Sequence, residues 1–456
     1  MPPGADPTSL SARAAVAMLR SGEVSAVELV EAALRRIEAT DGPLNALPTV
    51  CAERALERAA RASRDTPLGG LPLAVKDLTD VAGVRTTYGS PIYARNVPER
   101  SDILVERLEA GGGIVVAKSN TPEFGAGANT FNEVFGETRN PWDLSLTCGG
   151  SSGGSAVALA THQVWLATGS DLGGSLRTPA SFCGVVGIRP SPGLVARGPG
   201  DRPFDTLSVE GPMARNVADA ALMLDVMAGA HPEDPIAYDP VGGPFVSAAE
   251  EPRRPTRIAY SEDLGITPVA PEVRAACRKA VDRLAAAGFD VVEACPDLAT
   301  APDTFQRLRA AGFVADLAAE YGTDRDRLKP DIVWNIEQGL RLSPAELAEA
   351  DRARGALFHR MAAFLDQYDV LMCPAACVAP FDVRTRWVDE VDGVRFGNYV
   401  EWLRITSAIT LTASPVVALP GGFTDAGLPV GLQLVGRNRG EHDLLRHAAA
   451  VEEALA

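Results

Sequence analysis

The chain has 456 residues, a formal net charge of −16, 46% hydrophobic and 22% charged residues, a composition that suits an ordinary soluble globular protein of one large domain or two closely packed ones. Its acidic field argues against nucleic-acid binding through a basic patch. Five scattered histidines without an HExxH or Cys/His cluster give no metal site to expect, and no 18-residue apolar span marks a membrane segment.

The N-terminus, MPPGADPTSLSARAAVAMLRSGE, lacks a cationic start followed by an apolar stretch. The seven cysteines, Cys51, Cys148, Cys183, Cys277, Cys295, Cys373 and Cys377, are an odd set without CxxC pairs, which reads as reduced thiols and a cytoplasmic location. Leu10 to Arg20 reads as a short helix. The capping box Ser25-Ala-Val-Glu28 opens a second helix running to about Thr40, with Leu29, Ala33 and Ile37 as its apolar stripe. A third helix runs from about Cys51 to Ser63, so residues 1–65 read as a helical scaffold. Leu71 to Val75 is a short buried strand ending at Lys76-Asp77, where an ammonium is expensive to desolvate. Position alone favours an ordinary ion-paired or snorkelling lysine, with Asp77 as its neighbour.

Asp102 to Ala110 is helical, Gly111-Gly112-Gly113 ends it, and Ile114 to Ala117 is a second short strand. Gly125 to Asn140 lacks periodicity and reads as an ordered loop; Asn120 before it reads as a hydrogen-bonding loop residue. The loop feeds two Gly-Gly-Ser turns, Gly149-Gly150-Ser151 and Gly173-Gly174-Ser175, joined by Ala156 to Ala167, an apolar and helix-like segment interrupted by Thr161, His162 and Gln163. Glycine lets backbone N–H groups approach a ligand unobstructed, and successive N–H groups form a cavity for an oxyanion or phosphate. A nucleophile needs that same geometry. One such turn is most simply a surface loop; two flanking a buried segment point to chemistry.

Further on, Asn216 to Met227 is a helix, and Pro232 to Pro255, with six prolines, reads as an exposed connection or insertion. Arg257 to Tyr260, Pro271 to Ala287 and Phe289 to Val292 form a βαβ unit. Ser343-Pro-Ala-Glu346 is a second capping box, opening a helix to about Leu365. Val370 to Pro374, Ser414 to Pro420 and Leu428 to Val435 are closing strands, and Glu441 to Leu455 is the last helix. Ala-rich helices alternating with short Val/Ile/Leu runs argue for α/β organisation.

Gly149-Gly-Ser151-Ser-Gly153 formally matches GxSxG, the elbow of a Ser-Asp-His esterase. That motif needs a hydrophobic strand before it, and Asn140 to Cys148 makes a poor one. None of His162, His231, His359, His442 and His447 has a context marking it as a base, and the last two look solvated on the terminal helix. Lys76 fits the role instead, since a lysine in a desolvated pocket falls well below its free pKa and, once neutral, can take a serine proton.

Three motifs then resemble the amidase signature family. Gly149-Gly-Ser-Ser-Gly-Gly-Ser155 is similar to its core motif, Asp171-Leu-Gly-Gly-Ser-Leu-Arg177 to its second block, and Ala74-Val-Lys76-Asp77 to its lysine block. The intervals agree too, 75 residues from Lys76 to Ser151 and 24 from Ser151 to Ser175. The similarity continues through Gly427-Leu-Pro-Val-Gly-Leu-Gln433 and covers nearly the whole chain.

The resemblance implies a large mixed β-sheet surrounded by helices, a single domain over residues 1–456, and an amide hydrolase that needs no metal or organic cofactor. It implies Ser175 as the acylated nucleophile, Ser151 as proton relay after a cis Gly150–Ser151 peptide, and Lys76 as base. Backbone N–H groups of Leu172, Gly173, Gly174 and Ser175 would form the oxyanion hole, and Asp171 and Arg177 would brace the nucleophile loop. Gly125, Ala126 and Gly127 would border the acyl pocket. Cys148 departs from the proline found in many members and reads as space-filling.

The expected partner is a small-molecule amide, with esters or carbamates as side substrates, no nucleic acid and no membrane; a homodimer is left open. The alternatives are the glutaminase component of a tRNA-dependent amidotransferase (its A chain), which works with partner subunits, and a non-enzymatic anion-binding protein using the glycine turns alone. Specificity is expected in variable loops, with Pro232 to Pro255 and Ala301 to Asn398 as candidates.

Overall fold

The computed structural model describes residues 6–200 and 202–456; the first five residues of the N-terminal scaffold lie outside it. The strands in chain order are β1 (Thr49–Val50), β2 (Pro72–Lys76), β3 (Ile114–Ser119), β4 (Phe131–Asn132), β5 (Gly136–Glu137), β6 (Leu166–Asp171), β7 (Val186–Arg189), β8 (Val209–Ala214), β9 (Ile258–Tyr260), β10 (Val291–Glu293), β11 (Val370–Pro374), β12 (Glu390–Val391), β13 (Val394–Arg395), β14 (Val416–Phe423) and β15 (Pro429–Val435). Eleven of them form one sheet in the order β1-β3-β2-β6-β8-β7-β14-β15-β11-β9-β10, while β4–β5 and β12–β13 are separate two-stranded ladders. The sheet is mixed: β2 runs parallel to β3 and to β6, β9 runs parallel to β10 and β11, and β8, β7, β14 and β15 join antiparallel. This is the large mixed sheet wrapped in helices that the resemblance implied.

The parallel strands β2 (PLAVK) and β3 (IVVAKS) are buried along their whole length, which explains their near-continuous apolar reading. Because β2, β3 and β6 share a direction, Lys76, Ser119 and Asp171 all end strands at one edge of the sheet. Open parallel sheets place ligands at that carboxyl edge. Both capping boxes form: Glu28 accepts from the Ser25 N–H at 2.8 Å, and Glu346 from the Ser343 N–H at 2.8 Å.

Several expectations need correction. The stretch between the glycine turns is not one helix: Gly153–Ala160 is helical, His162 takes φ +60°, and the chain then enters β6. A buried apolar run fits either a core helix or a core strand, and the neighbours on both edges, β2 and β8, decide for the strand. The N-terminal scaffold is not wholly helical, since β1 pairs with β3. Strand β8 had no counterpart in the sequence reading.

The region after Ala301 is largely helical rather than loop, with helices Ala301–Asp324, Pro330–Arg341 and Pro344–Leu365. Pro232 to Pro255 is mostly exposed, but it contains the helix Phe245–Glu250, anchored by buried Phe245, Ala248 and Ala249. His447 is buried, its Nδ1 2.8 Å from the Arg253 carbonyl, and not solvated as its place on the terminal helix suggested. Among the described residues no helix is long and apolar enough to cross a membrane.

Candidate active site

Lys76 closes β2 and is fully buried. Its Nζ lies 2.7 Å from Ser151 Oγ, 2.8 Å from Ser152 Oγ and 2.9 Å from Ser170 Oγ. Asp77 is not its partner. That carboxylate turns to the neighbouring strand, 3.3 Å from Nζ of Lys118, a second buried lysine that also donates to the Thr79 carbonyl and to Thr86 Oγ1.

The two lysines are therefore differently provided for: Lys118 touches a carboxylate, whereas Lys76 touches only hydroxyls. Burial pulls the Lys76 amine down to about 7, against the weaker opposing pull of Glu210 and Asp171. A neutral amine has two protons and a lone pair, so one of the three surrounding hydroxyls must donate to it. That is the arrangement of a base ready to receive a serine proton.

Sequence reasoning missed Ser152, Ser170 and Glu210. The first two become visible only when β6 lies beside β2. Glu210 stands opposite Ser170 in the β6–β8 ladder, and its Oε2 is buried without a hydrogen-bond partner. Burial raises its carboxyl, with Arg197 and Lys76 acting the other way.

The first glycine turn delivers Ser151 through a cis Gly150–Ser151 peptide into the start of the helix Gly153–Ala160. Thr130 Oγ1 donates to the Gly149 carbonyl at 2.8 Å and accepts from the Gly153 N–H at 3.2 Å, so the preceding loop clamps the turn. Side chains have no room here: a Cβ on Gly154 would lie 2.3 Å from the Asn120 backbone nitrogen. Cys148 is buried in this wall, as its space-filling reading requires, and Asn120 bonds Thr138 and Asn132.

The second turn follows β6. The Ser152 N–H donates to the Ser175 carbonyl at 3.2 Å, which ties the two turns together. Ser175 and Ser151 line the same cavity of about 460 Å³, although no hydrogen bond joins their hydroxyls among the described residues.

Of the four N–H groups expected to form an oxyanion hole, that of Gly174 is already engaged, donating to Asp171 Oδ1 at 2.9 Å. The carboxylate folds back over its own loop and also accepts from the Leu176 N–H at 3.1 Å. The N–H groups of Leu172, Gly173 and Ser175 have no acceptor among the described residues. Gly174 has φ +120°, and a Cβ there would meet Thr406 Oγ1 at 2.4 Å, so only glycine fits.

Asp171 is the hub beneath this loop. Arg177 grips it with two N–H groups at 2.9 and 3.0 Å, and Arg189 adds a third contact at 3.3 Å. Burial alone would raise this carboxyl, but Arg177 and Arg189 hold it down to about 2. Arg177 continues to the Thr406 carbonyl, Gln433 Oε1 and Thr410 Oγ1. The second glycine turn is thus fastened to β15 and to the helix Arg404–Leu411. Asp171→Ala leaves two guanidinium groups buried without their counter-charge, and should destabilise the fold by about 3–5 kcal/mol in urea titrations; a loss below about 1 kcal/mol would contradict the bracing role.

The proposed acyl-pocket segment divides. Gly125 and Gly127 line the cavity, and a Cβ on Gly125 would approach Ser151 Oγ to 3.5 Å. Ala126 does not line it; this residue is buried in a small separate cluster with Phe313, Leu317, Leu328, Ile332 and Ile336. Gly125 and Gly127 take φ of +69° and +96°, so the chain turns on both sides of Ala126 and directs its methyl away from the cavity. Among the described residues no histidine lines the cavity, which removes the Ser-Asp-His esterase reading, and no group of side chains could hold a metal ion.

A family model described as Amidase matches residues 28–445. The chain is 33% identical over 453 residues to an acylamidase of Rhodococcus erythropolis, covering 97% of this chain and 95% of that one. It is 36% identical over 478 residues to the A chain of the glutamyl-tRNA(Gln) amidotransferase of Anaeromyxobacter dehalogenans, covering 98% and 96%. Among solved structures, a bacterial aryl acylamidase of the amidase signature family superposes with a TM-score of 0.90 at 28% identity, over 98% of this chain and 96% of that one. The 6-aminohexanoate cyclic dimer hydrolase gives 0.89 at 27% identity, over 99% and 98%. Agreement of this extent, in sequence and in fold, places the chain in the amidase family, among the amidase signature enzymes.

Proposed function

We propose that this amide hydrolase works through a Ser175 acyl-enzyme, with Ser151 as proton relay and neutral Lys76 as base. The observation that carries the reading is a fully buried lysine held by three hydroxyls, with no carboxylate in contact, beside a cavity that both serines line. Ser175 Oγ attacks the amide carbonyl while its proton passes to Ser151, whose own proton passes to Lys76. Negative charge gathers on the carbonyl oxygen, and the unengaged N–H groups of the turn, on Leu172, Gly173 and Ser175, are the donors available to it. The proton returns from Lys76 through Ser151 to the leaving nitrogen, the C–N bond breaks, and the free amine departs. Water repeats the sequence on the ester and releases the carboxylic acid.

The test is the pH dependence of kcat/KM. Lys76 acts as base only when neutral, and its amine lies at about 7. Activity should therefore rise with pH through about 7 and level off above it. A profile that is flat or falling from about pH 5 to 8 overturns the assignment.

The 36% identity to an amidotransferase component favours a second reading, in which the same centre releases ammonia for partner subunits. Turnover of simple anilides by the purified single chain selects the free-standing amidase. Glutaminase activity that appears only with partner subunits selects the other.

A further inference from the structure

The helix Ala301–Asp324 presents Arg309 to the cavity wall. Phe305, one turn earlier on the same face, lies where a Cβ on Gly173 would come within 3.1 Å of its ring, so Arg309 stands beside the nucleophile turn. Arg309 is 5% exposed. One Nη2 proton is donated to Tyr399 Oη at 2.8 Å, and that hydroxyl is also bonded by Asn335. The guanidinium carbon stands 4.3 Å from the Phe313 ring centre and 5.5 Å from that of Tyr399. Nη1 is buried and has no partner among the described residues.

The contrast with the other arginines of this cavity is informative. Arg202 is paired with Asp316 at 2.8 Å and Arg197 with Asp205 at 3.5 Å. Arg309 alone among them has no carboxylate partner among the described residues. An unpaired buried charge with an unused donor is unfavourable in the empty protein. It is held flat by two aromatic rings and one hydroxyl, which fixes the fork without neutralising it.

We infer that Arg309 binds a carboxylate carried by the amide substrate. The planar fork matches a carboxylate in shape and charge. Phe313, Leu317, Leu403 and Phe124, which also line the cavity, suit a short aliphatic or aromatic spacer between that carboxylate and the scissile bond. Asp80, Asp102, Asp234 and Glu210 also line the cavity, and Asp205 and Asp316 line it already paired with Arg197 and Arg202, so among the described residues Arg309 is the cation of the lining left for a substrate carboxylate. The inference rests on Ser175 as the acylated residue and adds the substrate class to that reading.

The experiment compares aniline release from two matched pairs. Succinanilic acid is paired with 4-methylpentananilide, and 4-butyramidobenzoate with 4-isopropylbutyranilide, so that isopropyl replaces the carboxylate on the acyl or the amine side. Wild-type enzyme should favour the acid of at least one pair by roughly 10- to 100-fold in kcat/KM, mainly through KM. Arg309→Met should bring that ratio to about one, and Arg309→Lys should keep part of it. Wild-type ratios at or below one for both pairs, or a ratio unchanged in Arg309→Met, overturn the inference.

Calorimetric binding of 4-phenylbutyrate separates the anchor from the chemistry. Binding to wild type that is weakened in Arg309→Met, without turnover of any anilide, supports the anchor and removes the acyl-enzyme reading. Turnover of the neutral anilides with no preference for the acids does the reverse. Should Arg309→Met fail to fold, the wild-type ratios and Arg309→Lys decide.

Discussion

Replacing Ser175 by Ala is expected to lower kcat/KM for amide hydrolysis by roughly 10⁴- to 10⁶-fold, with the fold retained. The substitution removes one hydroxyl from a half-buried position that makes no side-chain hydrogen bond, so nothing else is left unpaired. The backbone contact from the Ser152 N–H to the residue 175 carbonyl persists, and so do the bonds of Asp171 to the Gly174 and Leu176 N–H groups. Mass spectrometry after treatment with a fluorophosphonate should find the label on Ser175 in wild type and nowhere in the variant. Continued labelling on Ser151 would make Ser151 the nucleophile and reverse the assignment. Ser151→Ala should lose less, on the order of 10²- to 10⁴-fold, the range of a proton-transfer contribution.

Lys76→Met is expected to cost roughly 10³- to 10⁵-fold in kcat/KM, and raising the pH should not restore it. The wild-type rise through about pH 7 follows from the titration of this one amine. A variant without it should keep a low rate that lacks this limb. Rate–pH profiles of both proteins on one neutral anilide check the point. A wild-type-like acid limb surviving in Lys76→Met would assign that limb to another group, with Glu210 and Asp102 the nearest candidates, since burial raises both carboxyls.

The parts of the molecule that sequence made legible are those whose signal is local. Capping boxes at Ser25 and Ser343, the buried strands ending at Lys76 and Val435, and the glycine turns are each specified by neighbours a few residues away. Strand β8 was not, because Val209-Glu-Gly-Pro-Met-Ala214 has neither clean alternation nor a continuous apolar run. It is a strand because β6 and β7 flank it.

Lys76 posed a sharper difficulty. Its adjacent Asp77 invited an ion pair, and only the parallel register of β2 and β3, which brings Lys118 beside Asp77, removes that partner. The same holds for Arg189, Gln433 and Thr406, which brace the second glycine turn from 18 to 256 residues away. The resemblance implies four oxyanion donors, and the N–H of one of them, Gly174, already donates to Asp171 three residues away. Arg309 lies in a stretch read as variable loop, and its having no carboxylate partner among the described residues is a property no sequence displays.

The hairpin of Ala301–Asp324 and Pro330–Arg341 has a small apolar cluster of its own with Ala126, while Ala301 and Phe305 at its base belong to the main core. Asp171 ends β6, Arg177 opens the helix Arg177–Cys183, and Ser151 and Ser175 lie in the two glycine turns. The outer half of the hairpin can therefore change along with its own cluster, whereas a substitution at Phe305 is felt directly at Gly173.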